Sequence, residues 1–282
     1  MLRLAGARLL DDKDYPAVRS VLMADPVGSC MVSARVELAG CDPWRLGGEL
    51  WGTERRRAGG LQGLCFAGPN MIPLRGNAAA LRSFADRALR RPRTCSSLVG
   101  PADQVLGLWD ELVGEWGPAR EVRPDQPLMA LDTAPSITPD PEVRPVRPDE
   151  IDVYFPAAVA MFREEVGIDP RLGDGGAGYR ARVTELIASG RAFARFEEGE
   201  VVFKAEIGAL SESVGQIQGV WVHPRYRGRG LGAAGTAAVS DRLVRGLGRI
   251  ASLYVNSYNT PALAAYRRVG FRQVGRYATV LL

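Results

Sequence analysis

Ten residues, His223-Pro-Arg-Tyr-Arg-Gly-Arg-Gly-Leu-Gly232, carry three arginines and three glycines directly after the apolar run Ile217–Val222. A strand that stops at a glycine-rich turn and continues as a helix is suited to holding phosphate. The first amides of a helix have no partner inside it, and the macrodipole favours negative charge at that end. Glycine lets the backbone approach oxygen atoms closely and adopt positive φ. Arg225, Arg227 and Arg229 add charge-assisted hydrogen bonds. The stretch points to a phosphate-bearing ligand.

Three loop types compete for it. A Walker A loop needs Gly-Lys-Ser/Thr, and the stretch has no lysine. The dinucleotide fingerprint matches formally at Gly228, Gly230 and Ala233. However, His223–Arg227 separate the strand from the first glycine, and Val255-Asn256 stands where an acidic residue should close the next strand. The third pattern, Arg-x-x-Gly-x-Gly, falls on Arg227, Gly230 and Gly232.

That pattern, preceded by Val222-His-Pro224, resembles the acyl-CoA-binding motif of the GNAT superfamily of acetyltransferases. A second motif of the superfamily, Asn-x-x-Ala-x-x-x-Tyr-x-x-x-Gly-Phe, is met at Asn259, Ala262, Tyr266, Gly270 and Phe271. The resemblance covers roughly residues 145–282 and implies an acetyl-CoA-dependent N-acetyltransferase. It implies that the loop amides of Arg227, Gly228, Arg229, Gly230, Leu231 and Gly232 hold the CoA diphosphate. The backbone of Val220, Trp221 and Val222 is expected to pair with the pantetheine arm like an added strand. Asn256 and Asn259 are expected at the cofactor, and Tyr266 near the thioester sulfur as proton donor to the departing thiolate. Transfer would be direct, in a ternary complex of acyl-CoA and an unidentified amine acceptor.

The attacking amine must lose a proton. The strand Gln216–Val222 lacks the glutamate that many members of the superfamily place there. Glu206, on the preceding strand, is the first candidate acceptor, with Glu164 and Glu165 as alternatives. His223, the chain's one histidine, precedes the proline that opens the loop and is read as a capping or packing residue. A rival reading is a non-catalytic acyl-CoA-binding regulator that kept the cradle and lost the base. A nucleotide-dependent oxidoreductase is a more distant third.

These residues need a scaffold. The segment Ala130–Glu150 holds five prolines and reads as a linker. It divides the chain into an N-terminal α/β domain (1–135), a linker (136–147) and the acetyltransferase-like domain (148–282). In the last, helices are expected over Pro148–Arg163, Tyr179–Ser189, Gly230–Val244 and Thr260–Val269. Ala192–Phe196 and Val201–Ile207 flank a hairpin turn with Gly199, strands follow at Ile217–Val222 and Ile250–Val255, and Phe271–Leu282 reads as a closing strand pair. The fold class is α/β of the α+β type, a mixed and mostly antiparallel sheet flanked by helices, in two lobes. The first half offers a helix over Asp14–Met23, a hairpin about Gly68-Pro-Asn70, and helices over Asn77–Leu89 and Gln104–Glu115. This order loosely echoes the second half without its loop, as in a degenerate second domain of the same kind. Its expected role is to shape the acceptor site.

Composition narrows the remaining classes. Net charge is +4 over 282 residues, and lysine occurs only at Lys13 and Lys204, so the arginine excess reads as codon bias, not a nucleic-acid surface. Cys30, Cys41, Cys65 and Cys95 are scattered without a Cys-x-x-Cys pair, against a zinc site or disulfide framework. No apolar run approaches the ~20 residues that span a bilayer. A cytoplasmic monomer or homodimer is expected, with neither membrane nor nucleic acid as partner.

Overall fold

The computed structural model describes residues 6–54 and 60–282. The chain forms two compact units. The first takes the chain up to Leu128, Tyr254–Tyr258 and Gln273–Leu282; the second takes Met129–Leu253 and Asn259–Arg272. A sequential cut with residues 148–282 as one domain is therefore redrawn. The closing segment is a single strand, not a strand pair, and it completes the sheet of the first unit.

In the first unit the elements are β1 (Arg8–Leu9), α1 (Tyr15–Ala24), α2 (Cys30–Ala39), α3 (Pro43–Leu46), β2 (Glu49–Glu54), β3 (Leu61–Ala67), β4 (Asn70–Arg75), α4 (Ala78–Leu89), β5 (Ser97–Pro101), α5 (Ala102–Trp116) and most of β6 (Glu121–Leu131). Strands β1 to β4 are antiparallel neighbours, while β4 and β5 run parallel. One apolar cluster joins Val18, Leu22, Val32 and Val36 of the first helices to Leu50, Leu64 and Phe66 of the strands. On the other face Leu81, Phe84, Val105 and Leu108 of α4 and α5 pack with Cys65 and Leu98.

The second unit repeats that order with β7 (Arg144–Pro145), α6 (Ile151–Val166), α7 (Ala177–Ala188), β8 (Ala192–Glu197), β9 (Glu200–Leu210), β10 (Val214–Val222), α8 (Leu231–Asp241), β11 (Ile250–Tyr254) and α9 (Thr260–Val269). The final strand, β12 (Arg272–Leu281), runs antiparallel beside β5. Strands β7 to β10 are antiparallel neighbours, and β10 and β11 are parallel. The β8–β9 hairpin turns on Glu198 and Gly199, both at positive φ (50° and 79°), the twist a tight hairpin requires.

Tyr154, Ala158 and Met161 of α6 and Val183, Leu186 and Ile187 of α7 cover one face of this sheet. The other face receives α8, whose buried side is Ala233, Gly235, Thr236, Ala237, Val239 and Ser240. Small residues there allow close approach: a Cβ on Gly235 would stand 2.6 Å from the Phe203 ring. The proline-rich segment, expected as a linker, lies against this same unit. Ser136 N–H donates to the Val269 carbonyl, Asp140 N–H donates to the Ala234 carbonyl, and Arg195 pairs with Asp140 at 2.9 Å. No helix among the described residues is long and apolar enough to cross a membrane.

A short turn, Pro148–Glu150, leads into α6, and Glu150 anchors it. Its carboxylate binds Arg144 (2.7 Å) and Arg147 (2.9 Å) and accepts the Arg147 N–H. The Arg144 hydrogen bond is the main cause that brings the Glu150 carboxyl down to about 2. That stabilisation is complete above the ordinary glutamate range and is lost as pH falls towards 2. Glu150→Gln is expected to lower stability by about 1 kcal/mol at pH 7, since Arg144 is partly exposed. Chemical unfolding of both proteins at pH 7 and near pH 2.5 checks this, the difference shrinking at the lower pH.

Candidate active site

The site begins where β10 and β11 part. They pair from Val214–Ile250 to Gln216–Ser252, after which β10 runs on to Val222 without a β11 partner. Between Gln218 and Trp221 strand β10 spends one residue more than β9, a bulge with Gly219 at φ +58°. The bulge shifts the register, pairing with β9 resumes at Trp221–Lys204 and Val222–Phe203, and Val220, Trp221 and Val222 form one wall of a cleft of about 580 Å³. Tyr226, Arg227, Gly228 and Gly230–Ala233 line it from the loop and α8, and Asn259, Pro261, Ala262 and Tyr266 from α9.

The loop owes its shape to two glycines. Gly228 (φ +75°) and Gly230 (φ +85°) take left-handed conformations, and no atom lies within 4 Å of where either Cβ would stand. Gly230 is the N-cap of α8 and contributes no side chain, so the first amides of that helix are left to the cleft. His223 does what a cap residue does: its Nδ1 accepts the Arg225 N–H at 3.3 Å, and its ring meets Trp221 and Tyr226 edge-on. Arg229 stacks over the Tyr226 ring, and Arg225 pairs outward with Glu200. A second open hollow of about 660 Å³ shares Gly230, Leu231, Ala233 and Arg268 with the cleft and adds Arg195 and Arg229. These features fit a diphosphate: amides at a helix start, unfilled space above glycines, and arginines at the rim.

Tyr266 is buried, its ring against Phe271, and it lines the cleft. Burial, with the Glu165 charge as a lesser cause, pushes its phenol well above the usual tyrosine value, so it keeps its proton. Asn259 caps α9 by accepting the Ala262 N–H at 3.2 Å and also faces the cleft. Asn256 belongs to the first unit, where it accepts a hydrogen bond from Gln126, and it is not among the cleft's lining residues.

Glu206, expected as proton acceptor, is placed differently. It is 4% exposed, ion-paired to Lys204 at 2.8 Å, and accepts the Tyr154 phenol at 3.1 Å. Glu206 is buried and is not among the cleft's lining residues, so the structure does not bring it to Tyr266. Glu164 instead lines the cleft with Tyr266. One of its oxygens accepts Trp221 Nε1 (3.0 Å) and the other accepts Arg227 (2.7 Å). Arg227 also donates through Nε to the Val222 carbonyl at 3.0 Å. Its place in the last turn of α6 was the available signal for Glu164, but only the packing of α6 beside β10 singles it out from Glu165.

The corresponding place in the first unit is filled. Between β4 and α4, Asn77 caps the helix through its own side chain, and a Cβ on Gly76 would meet Ala80, Gln104 and Leu81.

Fold and cleft together give a domain in which a split sheet edge lies beside a helix start with no side-chain cap. Residues 161–271 match the acetyltransferase (GNAT) family, and residues 48–154 match a domain of unknown function, DUF4081. The C-terminal part of the chain is thus similar to the GNAT acetyltransferase family over residues 161–271. A curated relative, the mycothiol acetyltransferase of Mycolicibacterium gilvum, is 48% identical over 67 residues, 22% of this chain and 22% of that protein. The match thus spans about a fifth of the relative's length. Among solved structures, a Drosophila protein shares the fold over 98% of both chains with a TM-score of 0.65 at 15% identity. A GNAT-family acetyltransferase from Colwellia psychrerythraea does so over 98% of this chain and 99% of its own, at 0.55 and 11%.

Proposed function

We propose that this protein is an acetyl-CoA-dependent N-acetyltransferase that moves the acetyl group directly to an amine acceptor. One observation carries the reading: the β10–β11 split opens onto the uncapped start of α8, with Tyr266 in the same cleft. The residues present fit the co-substrate, which when bound supplies an activated acyl carbon. The amides from Arg227 to Gly232 hold the diphosphate, with Arg229 and Arg268 at its outer side. The Val220–Val222 backbone aligns the extended arm and offers amides to the carbonyl oxygen as it gains charge. Glu164 accepts the proton of the attacking amine, and Tyr266 donates its own to the departing sulfur. The first unit is read as a degenerate lobe of the same kind.

The curated relative's name supports acetyl transfer as the reaction class. The engagement of Glu206 by Lys204 favours one rival, an acyl-CoA-binding regulator without turnover. Calorimetry with coenzyme A, followed by acetyl-CoA with a panel of amines and a free-thiol readout, separates the two. Binding in the micromolar to millimolar range common for enzyme substrates and thiol release with at least one amine are expected, and Glu164→Gln should slow that release. Binding with no release across the panel turns the reading to the regulator, and no binding overturns both.

A further inference from the structure

Beneath the bulge of β10, on the face covered by α6, lies a charged cluster that the proposed chemistry does not use. Lys204 is 0% exposed, one of only two lysines in the chain. Its ammonium pairs with Glu206 at 2.8 Å, donates to the Gly219 carbonyl at 3.1 Å, and lies over the Tyr154 ring. Glu206 in turn accepts Tyr154 Oη–H at 3.1 Å, and Gln218 Nε2 approaches its other oxygen at 3.5 Å. A buried ammonium is tolerated only when paired and hydrogen-bonded, and here one of its donors goes to the backbone of the bulge.

That backbone needs a partner. Gly219 stands at φ +58° in the bulge that interrupts the β10–β9 ladder between Gln218 and Trp221, where one extra residue falls out of the regular register, and its carbonyl accepts the Lys204 ammonium. The space above its Cα is already taken: a Cβ there would stand 3.0 Å from Met161 Cε and 3.1 Å from Lys204 Nζ. Lysine suits this position because a compact point charge on a flexible stem can reach a single carbonyl from below the sheet, which a broad guanidinium cannot.

We propose that Lys204 is a positioning residue: its ammonium, neutralised by Glu206, holds the Gly219 carbonyl and so sets the bulge that presents Val220–Val222 to the cleft. This rests on the reading that this backbone receives the acyl ligand. Removing Lys204 alone would leave Glu206 buried and unpaired, so the test uses the double change Lys204→Met with Glu206→Gln. That variant leaves no unpaired buried charge, keeps an amide oxygen to accept the Tyr154 phenol, and removes the tie to Gly219 together with the Lys204–Glu206 pair. The expected result is a folded protein, by circular dichroism and a melting temperature within a few degrees of wild type, with coenzyme A affinity reduced at least tenfold. Tyr154→Phe, which spares the Lys204–Gly219 bond, is expected to stay within about twofold of wild-type affinity. Gly219→Ala gives a second test if the double variant does not fold, because its methyl crowds the ammonium and Met161 and its positive φ disfavours alanine, so the bulge and its tie to Lys204 must shift; a tenfold loss is again expected. Wild-type affinity in a folded double variant or in folded Gly219→Ala overturns the inference and leaves the proposed function standing. Failure of the unaltered protein to bind coenzyme A overturns the function itself.

Discussion

Gly230→Val is expected to reduce coenzyme A affinity by more than a hundredfold, about 3 kcal/mol, in a protein that remains folded. Gly230 sits at φ +85° at the start of α8, and no atom lies within 4 Å of its Cβ position. A Cβ there has open space around it, so the main structural penalty is the conformational one, ~1–2 kcal/mol for a left-handed residue that is not glycine. On the proposed function this open space admits the diphosphate to the helix amides, and a branched side chain fills it. Valine also favours extended backbone, which would swing the amides away from the cleft. Titration calorimetry beside thermal unfolding separates the two effects. Unchanged affinity would place the ligand elsewhere.

Tyr266→Phe is expected to lower kcat by about a hundredfold while coenzyme A affinity stays within about threefold, the range of a lost proton donor. Phenylalanine keeps the ring that packs against Phe271, so fold and cleft wall persist. What disappears is the proton for the leaving thiolate. Because burial and then the Glu165 charge raise the phenol of Tyr266, the group stays protonated across the neutral range. The wild-type rate should show no alkaline fall attributable to Tyr266 below the ordinary tyrosine value, and the variant should be slow at every pH. Pre-steady-state measurement of thiol release checks the chemical step, and a variant at full rate would remove Tyr266 from the mechanism.

Much of the cleft was legible in the chain because short segments decide it. Glycines at 228 and 230 with a following small-faced helix specify a turn and a helix start through backbone sterics alone. The spacing from Asn259 to Tyr266 places both on one helix, and the structure brings Val220–Val222, Arg227, Gly228, Gly230–Gly232, Asn259 and Tyr266 to one cleft. Less was readable in the first unit. Helix α2 buries Ser33 while exposing Leu38 beside Arg35 and Glu37, so polarity does not follow burial and its period is masked. Strands β2 and β5 are buried on both faces over four successive residues each, so neither shows an alternation of apolar and polar positions.

Local conformation and residue chemistry were thus written in the sequence by itself: the hairpin at Gly199, the anion-holding turn, the two-helix order repeated in each half. Partnership was decided only by the tertiary structure. Period two puts Lys204 and Glu206 on one face of β9, but whether that face met solvent or α6 depends on chain fifty residues away. Asn256 finds Gln126 across 130 residues, and β12 closes the first unit although it ends the second repeat. Dihedral preferences act within a few residues, whereas the free energy of a charge or a strand edge depends on what is packed against it.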